Sequence, residues 1–167
     1  MKNNPYLPLP LKVLSVTPQT AIDWTFRLAA DFNPSPGQFL ELSLPGLGEA
    51  PISISDFNDG WLDLTIRKVG RVTEAVFALQ PGDTIYARGP YGKGFERELY
   101  QGHNLLIVAG GTGLAPVKSL ISHFTANRHE IQGFDLILGF KTPDDILFRD
   151  EIESWRQDAD IVLSVDK

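Results

Sequence analysis

Residues 105–120, LLIVAGGTGLAPVKSL, run from an apolar strand through a glycine-rich turn into a helical pattern. Gly110, Gly111 and Gly113 carry no side chain, so an anion can approach their backbone closely. At a helix start the first N–H groups have no partner within the helix, and the helix dipole favours negative charge. Thr112 adds a hydroxyl donor. Leu114 and Ala115 lead into Pro116, in a first helical turn where the missing N–H costs nothing. The chemistry such a turn suits is the holding of a pyrophosphate. Its order is G-G-T-G-L-A-P, not G-x-G-x-x-G, and the next strand ends in ILGFK with no acidic residue for a ribose. The ordinary dinucleotide fingerprint is therefore absent. A ligand-free strand-to-helix connection would use the same residues, so the turn alone leaves both readings open.

Other reactive patterns are missing. The chain has no cysteine, which excludes disulfides, thiol nucleophiles and thiolate-held zinc or iron–sulfur sites within it. His103, His123 and His129 have neither metal-ligand spacing nor a partnered nucleophile. No G-x-S-x-G, H-E-x-x-H or P-loop occurs. Asp144, Asp145, Asp150, Glu151 and Glu153 read as a charged helix face and its first turn, not as a catalytic pair. Trp24, Trp61 and Trp155 read as core residues.

Two kinds of chain must position the turn. The first part is a series of short strands bounded by Pro, Gly, Asn or Asp: LKVLSVTP, AIDWTFRLAA, GQFLELSLP, PISISDF, WLDLTIRKV and DTIYARGPYG. Leu62, Leu64 and Ile66 alternate with Asp63, Thr65 and Arg67, the period of a strand with one buried face. Ile85 and Ala87 likewise oppose Thr84, Tyr86 and Arg88. Val72, Val76 and Leu79 are spaced for a short helix that ends at Pro81–Gly82. Six strands with a helix before the last predict a six-stranded antiparallel Greek-key barrel over residues 1–100.

From residue 101 the pattern is strand, helix (roughly Ala115 to Ala126), strand (FDLILGF), helix (around Leu147 to Trp155) and strand (DIVLSV), the first half of a parallel α/β unit. The continuous apolar run LLIVAGG predicts a strand buried on both faces. Three parallel strands would leave Leu105–Ala109 at an uncovered edge, and long apolar edges are normally covered. The expectation is a truncated N-terminal fragment whose sheet is completed elsewhere.

A net charge of −6 argues against nucleic acid as a partner, because phosphate backbones attract an excess of Lys and Arg. MKNNPYLPLPLKVLSV has too much proline for a secretory signal, and no apolar run is long enough for a membrane span. A cytoplasmic location is the expectation.

A barrel of this kind followed by GGTGLAP resembles the ferredoxin–NADP reductase superfamily. PISIS, LTIRKVGRVTEAV and LQPGDTIYARGPYGKGF stand in the order and spacing of its electron-transfer subunits. GEAPISIS, DGWLDLTIRKVGRVT and LILGFKTPDDILFRDEIESW resemble the B subunits of anaerobic sulfite reductases, with the dihydroorotate dehydrogenase electron-transfer subunits as more distant relatives.

The resemblance implies FAD on the barrel and NAD(P)H on the α/β part. Pro51, Ile52 and Ser53 would meet the flavin ring and ribityl chain, with Ile66 and Arg67 on the neighbouring strand. Gly70, Val72 and Thr73 would hold the FAD pyrophosphate, Thr73 as a capping residue. Gly110, Gly111, Thr112, Gly113, Leu114, Ala115 and Pro116 would hold the NAD(P)H pyrophosphate. A [2Fe-2S] cluster is implied only in a C-terminal part beyond this sequence. The implied partners are the other subunits of a sulfite reductase complex; hydrogenase and dihydroorotate dehydrogenase complexes, or a flavin-less docking role, are the alternatives. Ala50 departs from the pattern, because most of the superfamily has an arginine there to pair with a flavin phosphate. Arg67 and Arg71 are the nearby cations able to replace it.

Overall fold

Alternating side chains close the first half into a barrel. In the computed structural model, which describes residues 7–166, β1 (Leu9–Pro18), β2 (Asp23–Ala29), β3 (Phe39–Leu44), β4 (Gly48–Asn58), β5 (Trp61–Arg67) and β6 (Thr84–Tyr91) are all antiparallel. They close in the order β1-β2-β5-β4-β3-β6, so the expected Greek-key barrel is present. Its interior holds Phe26, Leu28, Leu40, Leu42, Ile54, Leu62, Leu64, Ile66 and Ile85. On β6 the expected alternation is seen, with Ile85 and Ala87 buried and Tyr86 exposed. The short helix α1 (Arg71–Val76) contributes Val76 to this core.

β5 departs from the one-faced strand its alternation predicts. Asp63 and Thr65 are buried as well as the apolar residues. Asp63 receives both Nε and Nη2 of Arg27 at 2.8 Å, and Thr65 bonds the hydroxyls of Thr25 and Ser55 at 2.9 Å. A polar strand face can be buried when each group finds a partner, and here the partners come from β2 and β4.

The second half is a parallel sheet ordered β7-β8-β9, made of β7 (Leu105–Gly110), β8 (Phe134–Phe140) and β9 (Asp160–Val165). Between the strands lie α2 (Ala115–Ala126) and α3 (Arg149–Trp155). Leu120, Ile121 and Phe124 of α2 and Ile152 and Trp155 of α3 join Leu105, Ile107, Leu136 and Leu138 in one core. Both helices therefore serve the same face of the sheet. As a result β7 is not buried on both faces as its apolar run predicts. Leu106 and Val108 are 56% and 68% exposed, and Ile137 and Val162 share that open face. β7 does lie at the edge of the described sheet. No described helix is long and apolar enough to cross a membrane. Residues 1–6, where the leader reading begins, and residue 167 lie outside the described part.

Candidate functional site

All three parallel strands deliver their C-terminal ends to one hollow, the position where ligands meet open α/β sheets. This hollow, about 390 Å³, is lined by Gly110, Gly111 and Thr112 after β7, by Gly139, Phe140 and Lys141 around the end of β8, and by Asp166 after β9. Asp145 and Arg67 complete its wall. A second hollow of about 280 Å³ adjoins it on the barrel side. Ala50, Pro51, Ile52 and Ser53 of β4, Thr65 and Arg67 of β5, and Val69 and Thr73 before and within α1 line it. Thr112 and Arg67 line both hollows, so the glycine turn and the PISIS strand meet across one opening.

The glycine turn is a single 3-10 turn, Gly111–Leu114, that runs directly into α2. Gly111 has φ +51°, a conformation that disfavours side chains. Gly113 is different. Its φ is not positive, and a Cβ there would meet nothing within 4 Å. A Cβ on Gly110 would touch only the Gly139 carbonyl, at 3.8 Å, and Gly139 itself has open space. The same holds at Gly70, where the backbone is extended and a Cβ meets nothing. Folding alone does not demand glycine at these four positions, and all four flank the hollows or the start of α1. Leu114 is fully buried and anchors the turn in the α/β core; Ala115 lines the barrel-side hollow and Pro116 sits in the first turn of α2.

Thr73 has the capping role expected of it, but from inside the helix rather than as the N-cap residue itself. Gly70 is the N-cap, and Thr73, three residues into α1, reaches back. Its Oγ1 accepts the N–H groups of Val69 and Gly70 at 3.0 Å and donates to the Gly70 carbonyl at 2.9 Å. The hydroxyl is thereby used up in shaping the turn. The N–H groups at the start of α1 remain as donors for an outside acceptor. Val72 is half-buried beside Gly48 of β4. Arg71, at the first position of α1, is exposed.

Ile66 is 1% exposed and belongs to the barrel core, so its side chain is not part of either hollow's wall. Arg67 is placed there but is already engaged. Its Nε and Nη2 donate to the two carboxylate oxygens of Asp23 at 2.8 and 2.9 Å. Asp23 is fully buried and also accepts the Thr20 hydroxyl at 2.8 Å. The hydrogen bond to Asp23 holds the Arg67 pKa above its ordinary value, so the guanidinium carries its charge throughout the accessible pH range. The pair is bidentate, the stronger geometry for such contacts. Of the two cations able to replace an arginine at Ala50, Arg67 is therefore committed and Arg71 is the one left on the surface.

Asp23, Asp145 and Asp166 were not visible as site residues in sequence. Asp145 accepts the Thr142 hydroxyl at 2.8 Å, and Asp166 follows the last strand. For Asp145 and Asp166 the usable signal was their place shortly after the runs FDLILGF and DIVLSV; Asp23 carried none, because only the pairing of β2 with β5 sets it opposite Arg67.

The architecture defines the class: an antiparallel barrel followed by a parallel α/β unit is the ferredoxin–NADP reductase-like FAD/NAD-binding fold. The ferredoxin reductase of carbazole 1,9a-dioxygenase superimposes with a TM-score of 0.80 over 95% of this chain and 50% of that one, at 23% identity. The CS-b5R domains of human Ncb5or (NAD+ form) give 0.82 over 95% of this chain and 51% of that one, at 20% identity. Residues 107–165 match the oxidoreductase NAD-binding domain family.

Within that class the chain is similar to subunits of multi-protein redox enzymes. It is 41% identical over 145 residues to the sulfhydrogenase 1 subunit gamma of Pyrococcus furiosus, covering 86% of this chain and 47% of that one. It is 37% identical over 130 residues to the probable dihydroorotate dehydrogenase B (NAD(+)) electron transfer subunit of the same organism, covering 78% of this chain and 48% of that one. The chain thus spans about half the length of these curated relatives.

Proposed function

We propose that the chain is the FAD- and NAD(P)H-binding part of an electron-transfer subunit, residues 1–100 serving the flavin and 101–167 the nicotinamide nucleotide. The observation that carries this reading is the pair of adjoining hollows that share Arg67 and Thr112, bordered by glycines the fold does not require. When bound, the two cofactors would supply the redox chemistry: a hydride, carrying two electrons, passes from reduced nicotinamide to flavin, which releases electrons singly to a further acceptor.

The chain's own residues bind and align. Pro51, Ile52 and Ser53 form the wall against which a flavin ring would lie. The start of α1, with Arg71, offers N–H groups and a cation to its pyrophosphate. Gly110 to Pro116 offer the corresponding donors to the nucleotide. Hydride transfer between two cofactors needs no protein acid or base.

For the final acceptor, the relatives favour a hydrogenase- or dihydroorotate dehydrogenase-type complex, since the similar proteins are subunits of those enzymes. A sulfite reductase complex is the second reading, carried by the GEAPISIS and LILGFKTPDDILFRDEIESW stretches. The test is a visible spectrum of the purified chain after incubation with FAD and removal of the excess, followed by NADH or NADPH under anaerobic conditions. A retained flavin band that bleaches on nucleotide addition is expected. A correctly folded chain that keeps no flavin refutes the flavoprotein reading. Assays of the native complex for hydrogen, dihydroorotate and sulfite turnover then choose the acceptor.

A further inference from the structure

Lys118 lies in the first turns of α2, directly after the glycine turn, and its side chain is only 8% exposed. A lysine is rarely buried without a partner. Here the partner lies across the boundary between the two halves of the chain. Nζ donates to Oδ2 of Asp56 on β4 at 2.6 Å. It also lies 3.7 Å from Oε1 of Glu151 on α3 and 5.4 Å from the centre of the Phe148 ring. Phe148 is held in a left-handed conformation (φ +54°), and its N–H donates to Oε1 of Gln19 in the barrel at 3.2 Å.

We propose that Lys118 is a positioning residue that fixes the nucleotide turn against the flavin strand. Asp56 is three residues beyond Ser53 on the same strand, and Lys118 is two residues beyond Pro116 on the helix the turn opens. One buried contact therefore joins the strand lining the barrel-side hollow to the helix beginning at the other. Among the described residues no other ion pair links the two halves. The contact sets how far, and at what angle, the two hollows face each other. Hydride transfer depends steeply on that geometry, and a displacement of about 1 Å between reacting groups can cost on the order of a hundredfold in rate. Burial keeps the contact largely unscreened by salt. This inference rests on the FAD and NAD(P)H reading for its effect on rate, but the clamp itself does not.

The absence of cysteine makes the direct test simple. Spin labels on Asp59→Cys, in the exposed β4–β5 turn, and His129→Cys, beyond α2, report the distance between the halves without any cofactor. The expected result is one narrow distance in the parent, a broadened or shifted distribution in Lys118→Met, and recovery in Lys118→Arg. Asp56→Asn provides a milder break if Lys118→Met folds poorly, and it is expected to broaden the distribution in the same way. In FAD-loaded protein, Lys118→Met is expected to slow nucleotide-driven flavin bleaching roughly 10- to 100-fold while flavin and nucleotide affinities stay within about twofold. Unchanged distances in both Lys118→Met and Asp56→Asn overturn the clamp. A changed distance with an unchanged bleaching rate overturns the positioning role. A parent protein that never bleaches refutes the cofactor reading instead, and the distance measurement still decides the clamp.

Discussion

Replacing Gly113 with alanine separates what the glycine turn does for folding from what it does for binding. Its backbone is not in the left-handed region and an added Cβ would contact nothing within 4 Å. Alanine there removes unfolded-state freedom, so the folded state should be unchanged or more stable by roughly 0.5–1 kcal/mol. A ligand pyrophosphate lying on the turn would meet the new methyl group. Losing one or two charge-assisted hydrogen bonds costs about 1.5–3 kcal/mol, which is a tenfold to about hundredfold rise in nucleotide Kd. Gly94 is the control in the opposite sense. Its φ is +77°, and a Cβ would stand 2.9 Å from Cβ of Ser35 and 3.0 Å from the Pro36 carbonyl. Gly94→Ala should therefore destabilise the chain by about 2–4 kcal/mol, from left-handed strain and overpacking together. The assay is a thermal melt of each variant paired with an NADH and NADPH titration by calorimetry. If Gly113→Ala melts like the parent and binds nucleotide as tightly, the turn is only a connection and holds no pyrophosphate.

Ala50→Arg should tighten FAD binding by tenfold to about a hundredfold, because it adds a charge-assisted phosphate contact beside the barrel-side hollow; FAD titration by fluorescence quenching checks this, and an unchanged Kd refutes it. Arg67→Met should cost about 3–5 kcal/mol in denaturant unfolding, since it strands a fully buried Asp23 carboxylate, whereas Asp23→Asn should cost less because Arg67, at 27% exposed, can turn to solvent. Equal costs would show that the stranded buried charge is not what makes the first substitution expensive. Glu130 should titrate below the ordinary glutamate range, because its hydrogen bond from His123 Nε2, 3.0 Å away, favours the carboxylate. A depressed folded pKa means that this contribution to stability is present above the unfolded value and is lost as pH falls through the folded one. Carboxyl NMR of the parent and of His123→Ala checks it: the variant should raise the Glu130 pKa towards the ordinary range, with the Gln101 amide still donating to the carboxylate.

What the sequence determined was whatever depends on neighbours along the chain. Period-two alternation at Ile85 and Ala87 marked a half-buried strand, and Gly, Pro and Asp punctuation separated six of them. The helix expected from Ala115 to Ala126 has those same ends, because Pro116 and the preceding glycines fix where it can begin. GGTGLAP marked a tight strand-to-helix turn for the same local reason, and a 3-10 turn, Gly111–Leu114, stands there.

Tertiary structure alone decided what depends on which strands and helices come together. LLIVAGG reads the same whether one face or both are covered, and only the placement of α2 and α3 on a single face leaves Leu106 and Val108 in the open. Arg67 looked like a free cation until the strand pairing set Asp23 opposite it. Asp145 and Asp166 became wall residues because parallel strands deliver their ends to one place. Lys118 was one more residue on a helix in the sequence. The fold brings Asp56, 62 positions earlier, within 2.6 Å of it. Contacts between residues so far apart arise from the packing of whole elements, and no local pattern of residue types encodes them.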